Sequence, residues 1–257
     1  MSAPDLRARL RAIGMLYVSE NLDDIIALAT KKRMSAAEIF EHVVTLEETD
    51  RAQRSLDRRN QRSRIGRFKP ISDYDWNWPT KIDREAVEAT VALDFLEDHR
   101  NVVLVAPQGL GKTMIAQNIA HQAVLAGHSV LFITAAQVLL DLRAQESARA
   151  LERRLKYYTR IGLLVLDEIG YLAFDAANAD LLFQVITMRY EKKSLVLTTN
   201  LAFSDWPSIF PSATTATALI DRIVHHADVL AIEGKSYRLR EAEEAKRRPR
   251  KSRKARA

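Results

Sequence analysis

Eight residues constrain this chain more than any others: Ala106-Pro107-Gln108-Gly109-Leu110-Gly111-Lys112-Thr113. They follow a short apolar run, Asn101–Ala106, and open a helical stretch. Strand, glycine-rich turn and helix in that order are the setting a phosphate-binding loop requires. Gly109 and Gly111 let the backbone curl until successive N–H groups face one anion at a helix N-terminus, where the helix dipole already favours negative charge. Pro107, Gln108 and Leu110 complete the cradle, Lys112 reaches β- and γ-phosphates, and Thr113 ligates Mg²⁺. The strict pattern has Gly at 106; Ala106 ends the strand, a departure the looser form of the motif admits. A dinucleotide-binding reading of the two glycines fails, because Lys112-Thr113 follows directly.

A second element matches the first. Leu163-Leu164-Val165-Leu166-Asp167-Glu168 is an apolar strand ending in paired carboxylates. Asp167 is placed to hold Mg²⁺, and Glu168 to polarise a water for in-line attack on a γ-phosphate. The adjacent Glu favours nucleotide hydrolysis over phosphoryl transfer to a small molecule. Ser194–Thr199 is another apolar strand, closed by Asn200. Asn200 orients the attacking water or senses the γ-phosphate; the alternative is a cap on the helix at Phe203–Ile209. Arg222, on a helical segment, suits the charge of a γ-phosphate, in trans if the chain oligomerises, and otherwise forms a surface pair with Asp221. Arg238 reaches the same nucleotide from the C-terminal side or is an ordinary surface residue. His225-His226 are read as structural, because adjacent helical positions diverge by about 100° and so do not share a metal.

The alternation continues with Ser129–Thr134 and Val229–Glu233. Continuous apolar strands separated by helices imply a parallel sheet covered on both faces over residues 85–240. Residues 1–65 read as helical. Leu6, Leu10, Ile13 and Tyr17 mark one amphipathic helix and Leu22–Ala29 a second. Ser35-Ala36-Ala37-Glu38 is a capping box that starts a third, running to about Ser63. Residues 66–84 are a linker broken by Pro70 and Pro79 and rich in aromatic residues. No cysteine is present, so disulfides, thiolate metal sites and cysteine nucleophiles are excluded. The longest apolar runs fall far short of the roughly 20 residues of a membrane helix, and charged residues stand where a signal peptide needs apolar ones. A cytoplasmic, nucleoid-associated protein is expected, with no membrane partner.

The net charge of +6 is unevenly placed. Residues 246–257 carry eight basic groups and residues 51–69 carry +7, which leaves −9 on the rest. Two basic segments on an acidic body suggest a polyanion partner, nucleic acid first; a solvated helix face and a solubilising tail are the alternative. Arg58, Arg59 and Arg62 in the first segment are candidate DNA contacts. The tail from 241 is expected to be disordered.

In this order the motifs resemble the AAA+ ATPases of the IstB/DnaC group, over residues 65–240 and more weakly to the N-terminus. The carrying segments are APQGLGKT, LLVLDEIGYL, MRYEKKSLVLTTNLAFSDW, ALIDRIVHHADV and EGKSYRLRE. Those around Phe203–Trp206 and Ser236–Arg240 look closer to IstB, the transposition helper of insertion sequences, than to the helicase loader. The resemblance implies an α/β fold, a RecA-like P-loop AAA+ domain with helices on both faces and little or no lid, beside a small α-helical N-terminal domain. It implies ATP and Mg²⁺ as ligands, Asn200 as sensor 1, Arg222 as a trans arginine finger and Arg238 as sensor 2. Tyr74 and Trp76 then border adenine, unless they only pack the linker. The helical region 135–160, with Arg153, Arg154 and Lys156, then lines a DNA channel, unless it is a solvated face. The implied activity is ATP hydrolysis by a homo-oligomer on DNA, largely independent of sequence, in support of a cognate transposase. A replicative helicase loader is the nearest rival. A small-molecule kinase and a nucleotide-gated binding module without turnover come after it.

Overall fold

The computed structural model describes residues 3–171 and 173–240. The charged tail lies outside the described residues. Contacts divide the chain into two compact units, Met1–Arg58 and Arg59–Ala257, and the division falls inside one helix.

The first unit holds α1 (Ala3–Ala12), α2 (Leu16–Glu20), α3 (Leu22–Lys32) and the start of α4 (Ala36–Ser63). The single amphipathic helix expected through Tyr17 is instead two. Gly14 takes φ +82°, which breaks the helix and leaves Ile13 exposed in the turn. The capping box at the head of α4 forms: the Ser35 N–H donates to Glu38 Oε2 at 2.7 Å, and the Glu38 N–H donates to Ser35 Oγ at 3.4 Å. One buried carboxylate ties this unit together. Glu47 of α4 accepts from the N–H groups of Leu16 and Val18, both at 3.2 Å, and from Arg51 and Arg54. It thereby satisfies the open N-terminus of α2, whose own N-cap, Met15, offers no side-chain acceptor. Burial opposes the Glu47 charge, but these donors outweigh it and hold its carboxyl below the ordinary value.

The second unit continues α4 from Arg59 and adds α5 (Arg84–Ala92), β1 (Asn101–Val105), α6 (Lys112–Leu125), β2 (Val130–Thr134), α7 (Ala135–Arg143), α8 (Ala148–Arg160), β3 (Leu163–Ile169), α9 (Ala176–Arg189), β4 (Leu195–Thr199), α10 (Ala213–Val224) and β5 (Ala227–Ala231). All five strands are parallel, in the order β2-β3-β4-β1-β5. β1 lies between β4 and β5, and its Val102, Val103 and Leu104 are fully buried. That explains the unbroken apolar run: each face of a parallel sheet is covered, so no polar alternation survives. β5 lies two residues upstream of the expected run. Its register against β1, Asn101 opposite Ala227, decides the pairing rather than apolar content. The 135–160 region is two helices, with Ser147 capping the second through the Ala150 N–H. Buried Arg189 closes the end of α9. Its guanidinium donates to the carbonyls of Tyr158, Ile161, Gly162 and Ser194.

The strands run so that their carboxyl ends share one edge. Open α/β sheets bind ligands at that edge, and β1, β3 and β4 deliver their last residues there.

Candidate active site

β1 ends at Val105, and the chain turns through Ala106–Gly111 into α6. Gly109 and Gly111 take φ +79° and +85°, in the left-handed region. Space also requires glycine. A Cβ at 109 would meet Ser236 Oγ at 2.2 Å, and one at 111 would meet Tyr74 Cε2 at 2.5 Å. The segment after β5 crosses this loop, with the Tyr237 N–H donating to Gly109 O at 2.9 Å.

Lys112, the first residue of α6, turns its ammonium back onto the loop and donates to Ala106 O at 2.5 Å and Pro107 O at 2.9 Å. Burial lowers its pKa and the Arg238 guanidinium adds to this, while Asp167 and Glu168 oppose. Asp167, Glu168 and Arg238 therefore all act on the Lys112 charge. Thr113 Oγ1 faces both Asp167 oxygens, at 3.3 and 3.2 Å, and the Thr198 hydroxyl donates to Asp167 Oδ1 at 2.5 Å. The buried carboxylate is thus flanked by two hydroxyls. This all-oxygen donor set fits a hard cation such as Mg²⁺.

The β3–β4 register shifts between Leu166 and Ile169. Glu168 sits in that bulge with φ +61°, and its N–H is held by Thr198 Oγ1 at 2.9 Å. A non-glycine residue there costs on the order of 1–3 kcal/mol, and the bulge re-aims the side chain. Glu168 is exposed where its neighbour Asp167 is buried.

Apart from Asp167, which lies behind Thr113, these groups border one cavity of about 670 Å³, within the usual range for ligand sites. Gln108, Gly109, Leu110, Gly111, Lys112, Thr113, Glu168, Asn200, Tyr74 and Arg238 all contribute to its wall. Pro107 contributes its carbonyl to Lys112. Asn200 does not cap the 3-10 turn beyond it, Phe203–Ser208, whose N-cap is Ala202.

Two expected residues stand elsewhere. Trp76 is not in the wall; it packs against Tyr74, with ring centroids 4.8 Å apart, and carries Arg84 over its face. Trp78 lines the cavity in its place, its indole N–H donating to Lys235 O at 2.7 Å and its ring edge-on to Tyr237. Nothing local distinguishes the two tryptophans in the sequence; a contact spanning 157 residues does. Arg222 is also outside the wall. It donates to Ala218 O of its own helix at 3.0 Å and lies over the Phe183 ring at 4.6 Å, with no ion pair to Asp221 among the described residues.

The candidate DNA contacts divide. Arg58 and Arg62 are exposed on α4, while Arg59 donates to Val124 O at 3.1 Å. On α8, Arg154 is bound to Asp141, which also accepts from the Tyr158 hydroxyl at 2.6 Å, and it stacks on Tyr157. Lys156 pairs with Glu152 one turn away, an exposed contact of little energetic consequence. Arg153 points outward, and with Arg149, Lys156 and Arg160 it forms an exposed basic stripe at helical spacing. Among the described residues no helix is long and apolar enough to cross a membrane.

Comparison with known proteins places this geometry. A protein of insertion sequence IS21 from Pseudomonas aeruginosa, named for ATP binding, is 35% identical over 241 residues, covering 94% of this chain and 91% of its own. A similarly named protein of IS232 from Bacillus thuringiensis subsp. berliner is 33% identical over 240 residues, covering 93% and 96%. Among solved structures, DnaI aligns with TM-score 0.53 at 19% identity, over 67% of this chain and 91% of that one. The replication initiator DnaA bound to AMPPCP and single-stranded DNA aligns with TM-score 0.51 at 15% identity, over 70% and 58%. These likenesses establish a RecA-like P-loop AAA+ fold. The model of the IstB-like ATP-binding proteins matches residues 8–245, and the chain belongs to that family.

Proposed function

We propose that the chain is an ATP-hydrolysing helper of a transposase, which assembles on DNA with Mg·ATP to select target DNA and promote insertion. The carrying observation is the convergence of Lys112, Thr113, Glu168, Asn200 and Arg238 on one cavity at the carboxyl edge of the sheet, with buried Asp167 held against Thr113 behind its wall. Relatives belonging to insertion sequences supply the biological setting.

Each residue has a part. Lys112 leaves its loop carbonyls for the β/γ-phosphate oxygens, which replace those acceptors with charged ones. The Thr113 hydroxyl and the Asp167 carboxylate hold Mg²⁺, and Thr198 fixes Asp167 in place. When bound, the ion neutralises charge developing on the phosphates. Glu168 takes the proton of the attacking water, and Asn200 orients that water. Arg238 adds positive charge beside Lys112. Tyr74 and Trp78 border the base. Arg222, absent from its own cavity, serves the nucleotide of the next subunit, which makes hydrolysis depend on a homo-oligomer.

DNA is held through phosphates by Arg58, Arg59 and Arg62 and by the α8 stripe at Arg153 and Lys156, with little base readout. Arg154 is left to packing. The rival reading is a DnaC-like loader of a replicative helicase. Co-purification of the full chain with candidate partners separates the two. Capture of an insertion-sequence transposase, with DNA-stimulated ATP hydrolysis, supports the helper. Capture of a hexameric helicase without the transposase overturns it.

A further inference from the structure

Outside the cavity, the structure gathers three metal-ligating side chains that the proposed function leaves unused. α10 ends at Val224, His225 is its C-cap and His226 lies beyond it. The expectation that the two imidazoles diverge holds only within a helix. Here their ring centroids are 4.0 Å apart. Glu191, in the turn after α9, brings its carboxylate to 3.5 Å from His226 Nε2. One ligand atom from each of Glu191, His225 and His226 lies within 4.8 Å of the other two.

We infer that Glu191, His225 and His226 form a surface site for a borderline divalent transition metal, Zn²⁺ in the first instance. Two imidazoles and one carboxylate are a donor set suited to Zn²⁺, Ni²⁺ or Cu²⁺ and poor for Mg²⁺, which takes oxygen ligands. Metal–ligand bonds of about 2.0–2.2 Å put neighbouring donors roughly 3.5 Å apart, so small side-chain rotations close the triad. Tyr190 supplies the outer partner. Its hydroxyl lies 2.6 Å from His225 Nδ1, the kind of contact that orients a ligating imidazole.

The turn is held in advance. Buried Arg189 fixes it through four carbonyls, its own carbonyl accepts from the N–H groups of Lys192 and Lys193, and Glu191 is set at φ +56°. Lys192 and Lys193 are exposed neighbours that weaken cation affinity, while Asp221, one turn before His225, adds negative charge. All three ligands are exposed, so ligand exchange is open. A bound ion would clip the end of α10 to the α9–β4 turn. Arg222 lies three residues before His225, so the clip would also stiffen the helix that carries it.

Zinc titration of the untagged full chain in a competing chromophoric chelator tests the inference. One Zn²⁺ per chain is expected. His226→Ala and His225→Ala should each weaken binding at least tenfold, and the near-isosteric Glu191→Gln should weaken it several-fold. Mg·ATP binding by each variant, measured separately, reports that the fold is intact, and it does not depend on these residues. Stoichiometric zinc that persists unchanged in the His225→Ala, His226→Ala double variant, or absence of zinc binding at tens of micromolar by the wild-type chain, overturns the site.

Discussion

On the proposed reading, Lys112 and Glu168 are the two residues whose roles separate binding from chemistry. The Lys112 ammonium already occupies an acceptor pair at 2.5 and 2.9 Å, so its position over the loop is set before any phosphate arrives. Hydrogen bonds to charged groups contribute about 1.5–3 kcal/mol. Lys112→Ala should therefore weaken ATP binding roughly 10- to 150-fold, measured by calorimetry, with thermal stability of the free protein little changed. Glu168 differs in that its backbone is strained and its side chain is exposed to the cavity. Glu168→Gln should bind Mg·ATP normally and hydrolyse it about 10²–10⁴-fold more slowly. Near-normal turnover would remove Glu168 as the base. Both residues were legible from their motifs, because the chemistry demands fixed residue types at fixed spacing. Trp78 was not, because the contact that turns it toward the cavity joins residues far apart in the chain.

Elements were legible where one rule governed them, and less so where two competed. β1, β3 and β4 were read from apolar runs because burial on both faces leaves nothing else to read. β5 was displaced because its ladder with β1 outweighed its apolar content. The α10 end was missed because its apolar period gives no sign of stopping before His225. α2 shows the opposite case. It is too short to be stable alone, and its N-terminus is satisfied from another helix by Glu47. Glu47→Gln keeps the shape and removes the charge. It should destabilise the first unit by about 1–3 kcal/mol, read by hydrogen exchange at Leu16 and Val18. Because the folded Glu47 pKa lies below 4.5, its contribution is present above that value and is lost as pH falls through the folded pKa. The protection of these amides, relative to their intrinsic exchange rates, should fall in that acid range in the wild type and stay constant there in the variant. Exchange independent of Glu47 at neutral pH would show that its charge does not hold α2.

At the scale of the whole molecule, the separation of Arg222 from the cavity is the decisive feature. On the proposed reading Arg222 serves the nucleotide of a second copy, so hydrolysis needs two chains at each site. Mixing Lys112→Ala with Arg222→Ala chains should therefore restore part of the hydrolysis that each lacks alone, since some interfaces then join an intact loop to an intact arginine. No recovery at any mixing ratio would place Arg222 outside catalysis. The uneven charge bears on the proposed DNA contacts: if the exposed arginines of α4 and α8 carry them, DNA affinity should fall steeply as salt rises. The most direct test of the account is light scattering of the Glu168→Gln chain with duplex DNA, with and without Mg·ATP. The account predicts large assemblies on DNA that require ATP and persist because hydrolysis is blocked. Assemblies of the same size without nucleotide, or none with it, would contradict the claim that the cavity at Lys112 governs assembly.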